Sequence, residues 1–260
     1  MRAVLLLSFR NIARHRLRFV LTTFSVLLGV SFVVASFVLT DGLRSTFNSL
    51  ISEGFEETDL QVQARSDFEE IMFTYRAIDE ELYDVVSSVE GVEVATPYTE
   101  SAKIVVLNAD GKPIQSSSAP ILSFNWEPSA VSRMTLVDGE VPDGPGQFAI
   151  DEGTADRENM VVGESYDVIG VDGPEPFRLV GLNKYGADST LPGFVLVSFP
   201  LDELQRLDGS EGELRTIEIS AADGVDIDDL NARIASQVPA DIEVVTGDAL
   251  IADAQDDLGG

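Results

Sequence analysis

From residue 19 to residue 40 the chain reads FVLTTFSVLLGVSFVVASFVLT, twenty-two residues without a charge, and Asp41 closes the run. At ~1.5 Å rise per residue a helix of this length covers roughly 33 Å, enough to cross a hydrocarbon core of about 30 Å. The pattern then changes. Leu43, Phe47, Leu50 and Ile51 recur at helical spacing, while Asp41, Arg44, Ser45, Asn48 and Ser52 face away from them. This predicts that the membrane helix continues outward as an amphipathic stalk over residues 41–54, ended by Gly54. A stripe of this kind needs something to bury it in water. Residues 248–260 carry a second one, Leu250, Ile251, Ala254 and Leu258, after a Gly247-Asp248 helix start. The two ends of the outer region are therefore expected to return to the membrane side by side.

Between the stalks the periodicity repeats itself. A strand over residues 59–64 (DLQVQA) precedes a helix that starts near Asp79, with Leu82, Val85, Val86 and Val89 as its buried stripe. Gly91 ends that helix and VEVAT (92–96) reads as a strand. Much later LRTIEIS (214–220) precedes a helix opening on DIDD, where Asp226 caps free N–H groups and Asp229 follows three residues on. Its stripe is Leu230, Ile234 and Val238, and IEVVT (242–246) follows as a strand. Two such βαβ units predict a split ferredoxin-like α+β layer with helices on one sheet face. It is assigned to residues 55–100 and 213–247. Residues 101–212 differ in texture. KIVVL, PILSF, FAID, SYDVI, FRLVGL and FVLVS are short β-like runs separated by Gly, Pro and Asp, which predict a β-rich insert. Its one expected helix is PLDELQRL (200–207), with proline in the first turn and Gly209 as its stop.

Charge gives the chain a direction. Five arginines and no acid precede Phe19, whereas residues 41–260 hold twelve basic against forty-five acidic residues, a balance of −33. The basic side stays in the cytoplasm, so residues 1–18 are read as an inner basic segment, 19–40 as the span and the remainder as outside. A cleaved signal peptide would have a shorter apolar core, about 7–15 residues, and a small-x-small cleavage site. Within the span Thr22, Ser25, Gly29 and Ser36 share one face, a pattern that admits close packing of another membrane helix, although small residues also fall together by chance. An outer region this acidic excludes nucleic acid as a partner and would be repelled by an anionic lipid surface. Lysine occurs three times beside fourteen arginines, a balance shared by high-GC and by salt-adapted bacterial proteins.

Several chemistries are missing. The chain has no cysteine, hence no disulfide and no thiolate. Its single histidine, His15, lies in the inner segment without the partners a metal site requires. Gly111-Lys112 runs into proline and belongs to a turn, so no nucleotide-binding loop is present. The order of Asp223, Asp226, Asp228 and Asp229 does not fit a calcium loop, and helix capping explains Asp226 and Asp229. Glu56, Glu57 and Asp59 read as solvated surface, and Asp79, Glu80 and Glu81 as a helix start where negative charge is favourable. No cofactor or metal is expected, and catalysis by this chain is not.

The opening SFRNIARHRLRFVLTTFSVLLGVSFVVASFVLTDGLRSTF resembles the first segment of FtsX/MacB-type ABC transporter permeases, with Ser8–Asn11, Arg14, Arg16, Arg18 and a TDGL exit at residues 40–43. Phe9 stands where that pattern has Leu. The stretches VDGEVPDGPGQFAIDEGTAD, FRLVGLNKYGADSTLPGFVLVSF and IEVVTGDAL are similar to the outer domain of actinobacterial members. The resemblance implies a porter-like layer with a sabre-like β-rich insert, and a permease subunit without catalytic activity in a bacterial cell membrane. It also implies a separate cytoplasmic ATPase, a second permease subunit or duplicated half, the lipid bilayer and an extracytoplasmic protein as partners. The cargo would be lipid, lipoprotein, peptide or drug, or the output would be control of cell-wall enzymes. Arg10, Arg14, Arg16 and Arg18 would fix topology and lie near the ATPase or the lipid headgroups. Such permeases continue into further spans, and Asp256 and Asp257 are unfavourable at a helix C-terminus, although Gly259-Gly260 serves equally as a stop; the chain reads as an N-terminal fragment or an incomplete gene product. The rival reading is a single-pass anchored binding or sensor module; an anchored hydrolase is a weaker third.

Overall fold

The computed structural model describes residues 16–55, 57–65, 76–115, 121–129, 131–132, 134–186 and 194–257. The chain divides into two bodies, Met1–Ser49 and Leu50–Gly260. The first is built on helix α1 (Arg16–Phe55), forty residues long, whose last turns belong to the second body. Its stretch Val20–Val38 has a mean hydropathy of 2.1 and is long and apolar enough to cross a membrane. The Thr22 hydroxyl donates to the Arg18 carbonyl at 3.0 Å, so this polar group is spent inside the helix.

In the second body β1 (Leu60–Ala64) leads to β2 (Ile78–Asp79), α2 (Glu81–Ser87) and β3 (Val92–Tyr98). A long stretch then holds β4 (Glu100–Ser101), β5 (Val105–Val106), β6 (Ile121–Asn125), β7 (Met134–Gly139) and β8 (Gln147–Asp151). It continues with α3 (Glu152–Glu158), β9 (Ser165–Gly170), β10 (Gly173–Tyr185), β11 (Val195–Phe199) and α4 (Leu201–Asp208). The chain closes with β12 (Glu213–Leu214), β13 (Thr216–Ala221), α5 (Ile227–Ala235), β14 (Ile242–Thr246) and α6 (Gly247–Asp257).

One sheet has the order β14-β1-β13-β3, with antiparallel neighbours throughout. β1 and β3 therefore run parallel with β13 between them, and β13 and β14 run parallel with β1 between them: the two βαβ units are split into each other. Alternation does the work. Leu60, Val62, Ile217 and Ile219 point to one face, all fully buried, and meet Val86 from α2, Val89 just after it, and Leu230 and Ile234 from α5. Asp226 caps α5 as its sequence predicts, its carboxylate accepting from the Asp229 N–H at 3.0 Å.

The second sheet has eight strands, in the order β4-β6-β11-β8-β10-β9-β5, with β7 also paired to β10. Its core stacks Phe148 on Phe199 at 6.1 Å between ring centres and sets Phe177 edge-on to Phe199 at 5.7 Å. β10 is thirteen residues long and serves three partners: β9 along its first half, then β8 and β7. Where β7 ends, the backbones nearly touch. A Cβ on Gly181 would lie 2.1 Å from the Glu140 carbonyl, and one on Gly139 2.2 Å from that of Val180.

Four local expectations change. α3 was not foreseen: EGTADRE offers no apolar stripe, and the helix exists because Asp151 caps it, accepting from Thr154 N–H at 2.8 Å, and Asn159 closes it in the left-handed region at φ 55°. β7 was not foreseen either, since only Met134 of its six residues is buried and no alternation marks it. Helix α2 stops at Ser87, before Gly91, and Pro200 caps α4 from outside its first turn.

Candidate functional site

α1 supplies the first element of the site. The Thr22, Ser25, Gly29 and Ser36 positions are exposed along it, and a Cβ on Gly29 would meet nothing within 4 Å. Arg18 is exposed; Arg10 and Arg14 lie outside the described residues, as does the side chain of Arg16. The backbone stays helical through the expected stalk to Phe55, but the side chains of Leu43, Phe47, Leu50 and Ile51 lie outside the described residues. On α6, Leu250 and Ile251 are half-buried; the Ala254 side chain and Leu258 again fall outside.

The point where the chain enters and leaves the four-stranded sheet is sharply defined. Four residues separate the end of α1 from β1, and α6 begins directly after β14. Leu60 pairs with Thr246, so these two points share one end of the sheet. The Gly247 N–H donates to the Asp59 carbonyl at 2.9 Å. The Asp59 N–H donates to the Ile219 carbonyl at 2.9 Å, and its carboxylate accepts from the Ala221 N–H at 2.7 Å. A Cβ on Gly247 would stand 2.0 Å from the Thr58 carbonyl, so this approach requires glycine. Asp59 is thus half-buried and bonded, not part of a solvated acidic surface. Sequence reasoning missed both residues; the only local sign was an aspartate and a glycine flanking two apolar strands.

The sheet face away from the helices is polar. Gln61, Glu218 and Thr96 stand side by side on β1, β13 and β3, each less than 8% exposed. Gln61 Nε2 donates to Gln63 Oε1 at 2.7 Å, and Gln63 Nε2 to Glu243 Oε1 at 2.9 Å. Thr96 donates to the Ser129 hydroxyl at 2.8 Å. This face opens into a small pocket walled by Tyr98, Phe124, Met134 and Tyr185, with Glu127 and Glu218 at its polar side. Burial, and then the neighbouring charge of Asp202, push the Glu127 carboxyl above its ordinary range.

A larger groove lies where β4 and β12 approach each other. Its cations are paired: Arg215 with Glu100, and Lys103 with Asp208 at 3.1 Å. Nearby, Arg206 forks onto Glu175 at 2.8 Å and Glu203 at 3.2 Å, and these bonds raise its guanidinium pKa further. These pairs tie α4 to β10 and to the residue Lys103 after β4, and β4 to the link between β12 and β13. The described residues contain no histidine and no cysteine, so they bring neither imidazole nor thiolate to pocket or groove.

Residues 19–237 match the family model described as the MacB-like periplasmic core domain. Among solved structures the chain is similar to the periplasmic region of MacB from Actinobacillus actinomycetemcomitans, at 15% identity and a TM-score of 0.56. That match covers 78% of this chain and 94% of that one. It is also similar to the extracellular domain of the noncanonic ABC-type transporter YknZ from Gram-positive bacteria, at 12% identity and a TM-score of 0.52, covering 72% and 99%. At these identities the two structures share the fold. No curated protein matches the chain.

Proposed function

This chain belongs to the MacB-like periplasmic core domain family, and on that premise we propose that it is a permease subunit of an ABC transporter. In this reading a separate cytoplasmic ATPase supplies the energy, and the chain carries motion outward without chemistry of its own. Residues 1–18 face the cytoplasm, residues 19–40 span the bilayer, and the acidic remainder lies outside, as the positive-inside rule requires. The four-stranded layer is the porter-like element, and the β-rich stretch between β3 and β13 is the sabre-like insert that meets an extracytoplasmic partner. A second permease subunit or duplicated half packs against the small-residue face of α1.

The observation that carries the reading is the position of the two chain crossings. A helix runs without interruption from the apolar span to within four residues of β1, and the chain leaves the same sheet end into α6. A domain tethered in this way moves when its helices move. Proline at Ser45 tests it, because a proline inside a helix removes a backbone bond and costs about 3 kcal/mol or more. The S45P chain is expected to insert normally and to leave ATP hydrolysis by the assembled complex intact while export falls at least tenfold. Unchanged export would count against transmission through α1. Purification of the full chain from its native membrane, with mass spectrometry, is expected to find an ABC ATPase bound; its absence favours the single-pass module.

A further inference from the structure

We propose that Asp59 and Gly247 form the node through which helix motion enters the outer domain, an inference that rests on the permease reading. Three backbone segments meet there. The incoming chain accepts the Gly247 N–H at the Asp59 carbonyl, 2.9 Å away, and this joins the segments that precede β1 and follow β14. The Asp59 carboxylate accepts from Ala221 N–H at 2.7 Å, and the Asp59 N–H donates to the Ile219 carbonyl at 2.9 Å, which ties in the end of β13. Only glycine at 247 permits the approach, with the Thr58 carbonyl 2.0 Å from the place of a Cβ.

The sheet topology decides where a pull is felt. β1 and β14 are antiparallel neighbours, so the start of one and the end of the other lie together, and a pull on both helices draws both strands the same way. Little shear then falls on the ladder between them. It falls instead on the ladder between β1 and β13, from Leu60↔Ile219 to Gln63↔Thr216, whose bonds share it at once. The bridge from Asp59 to Ala221 is the first bond in that line, at the loaded end. β13 in turn carries β3 and the polar face that opens into the pocket. Asp59 and Gly247 are positioning residues: they touch no cargo and set which strands move together.

The chain contains no cysteine, so a cysteine pair introduced at the exposed positions Glu57 and Asp253 is unique and can be spin-labelled. Pulsed electron resonance on the full chain in nanodiscs is expected to give one narrow distance distribution. G247A and D59A should at least double its width, while D59N, which keeps an acceptor oxygen, stays narrow. Fluorescence of Trp126, the single tryptophan, checks that the fold survives; if G247A does not fold, D59A alone decides. Narrow distributions in every folded variant overturn the node. In the complex with its ATPase, D59A should lower transport per ATP hydrolysed about tenfold with D59N near normal; equal coupling in D59A overturns its role in transmission. A wild-type chain that binds no ATPase counts against the permease reading, while the distances judge the node separately.

Discussion

Glu127 shows how a single carboxyl responds to being half-buried in an acidic domain. Burial first, and Asp202 second, raise its pKa from the ordinary value near 4.5, so the folded state holds the proton more tightly than the unfolded chain does. Its contribution to stability is therefore complete below the ordinary value and is lost as pH rises through the raised folded value. E127Q removes the titration. In urea unfolding the variant should gain stability over the parent near pH ~7 and lose that advantage below pH ~4. A constant difference between the two would show that Glu127 does not titrate differently on folding. At this scale the sequence is legible only where partners are near. Asp226 could be recognised as a cap because Asp229 is three residues away. Asp59 could not, because Ala221, which its carboxylate binds, lies 162 positions on.

The elements divide in the same way. α5 was readable from a cap and an apolar stripe, and both are present: Asp226 at its start, Leu230 and Ile234 fully buried. D226A should cost about 1 kcal/mol, measured by thermal or urea unfolding, since one helix N–H then loses its acceptor. A loss near zero would mean that water replaces the cap without cost. β11 was readable as well, for its apolar run, interrupted only by Ser198, suits a strand buried on both faces of the sheet. α3 and β7 were not. The first depends on a cap at each end and little burial, the second on pairing to β10 while five of its six side chains are exposed. Elements that are held by tertiary pairing, and not by their own pattern, leave no periodic trace.

For the whole molecule, the α+β class and the split βαβ order followed from two echoing segments, because each satisfies alternation and helical periodicity by itself. The eight-stranded order did not: short strands can pair in many ways, and nothing local selects β10 as the partner of three others. Charge acts at this scale too. A balance of −33 after residue 40 makes the folded domain repel itself. Screening shortens from about 10 Å at 0.1 M salt to about 3 Å at 1 M, so sodium chloride should raise the unfolding temperature of the chain by several degrees over that range. A flat or falling temperature would show that the paired groups, such as Arg206 with Glu175 and Glu203, already dominate and are weakened by salt.

The pairing of β1 also sets an order of assembly. Both its neighbours, β13 and β14, begin after residue 215, so β1 is made early in synthesis with nothing to bond to. The eight-stranded sheet finds all its partners between Glu100 and Phe199 and can close by itself as it is made. Once folded, it brings the ends of a long loop closer and lowers the entropy that β1 and β13 must lose to meet. The four-stranded layer is the last to form, and until then its first strand has two open edges.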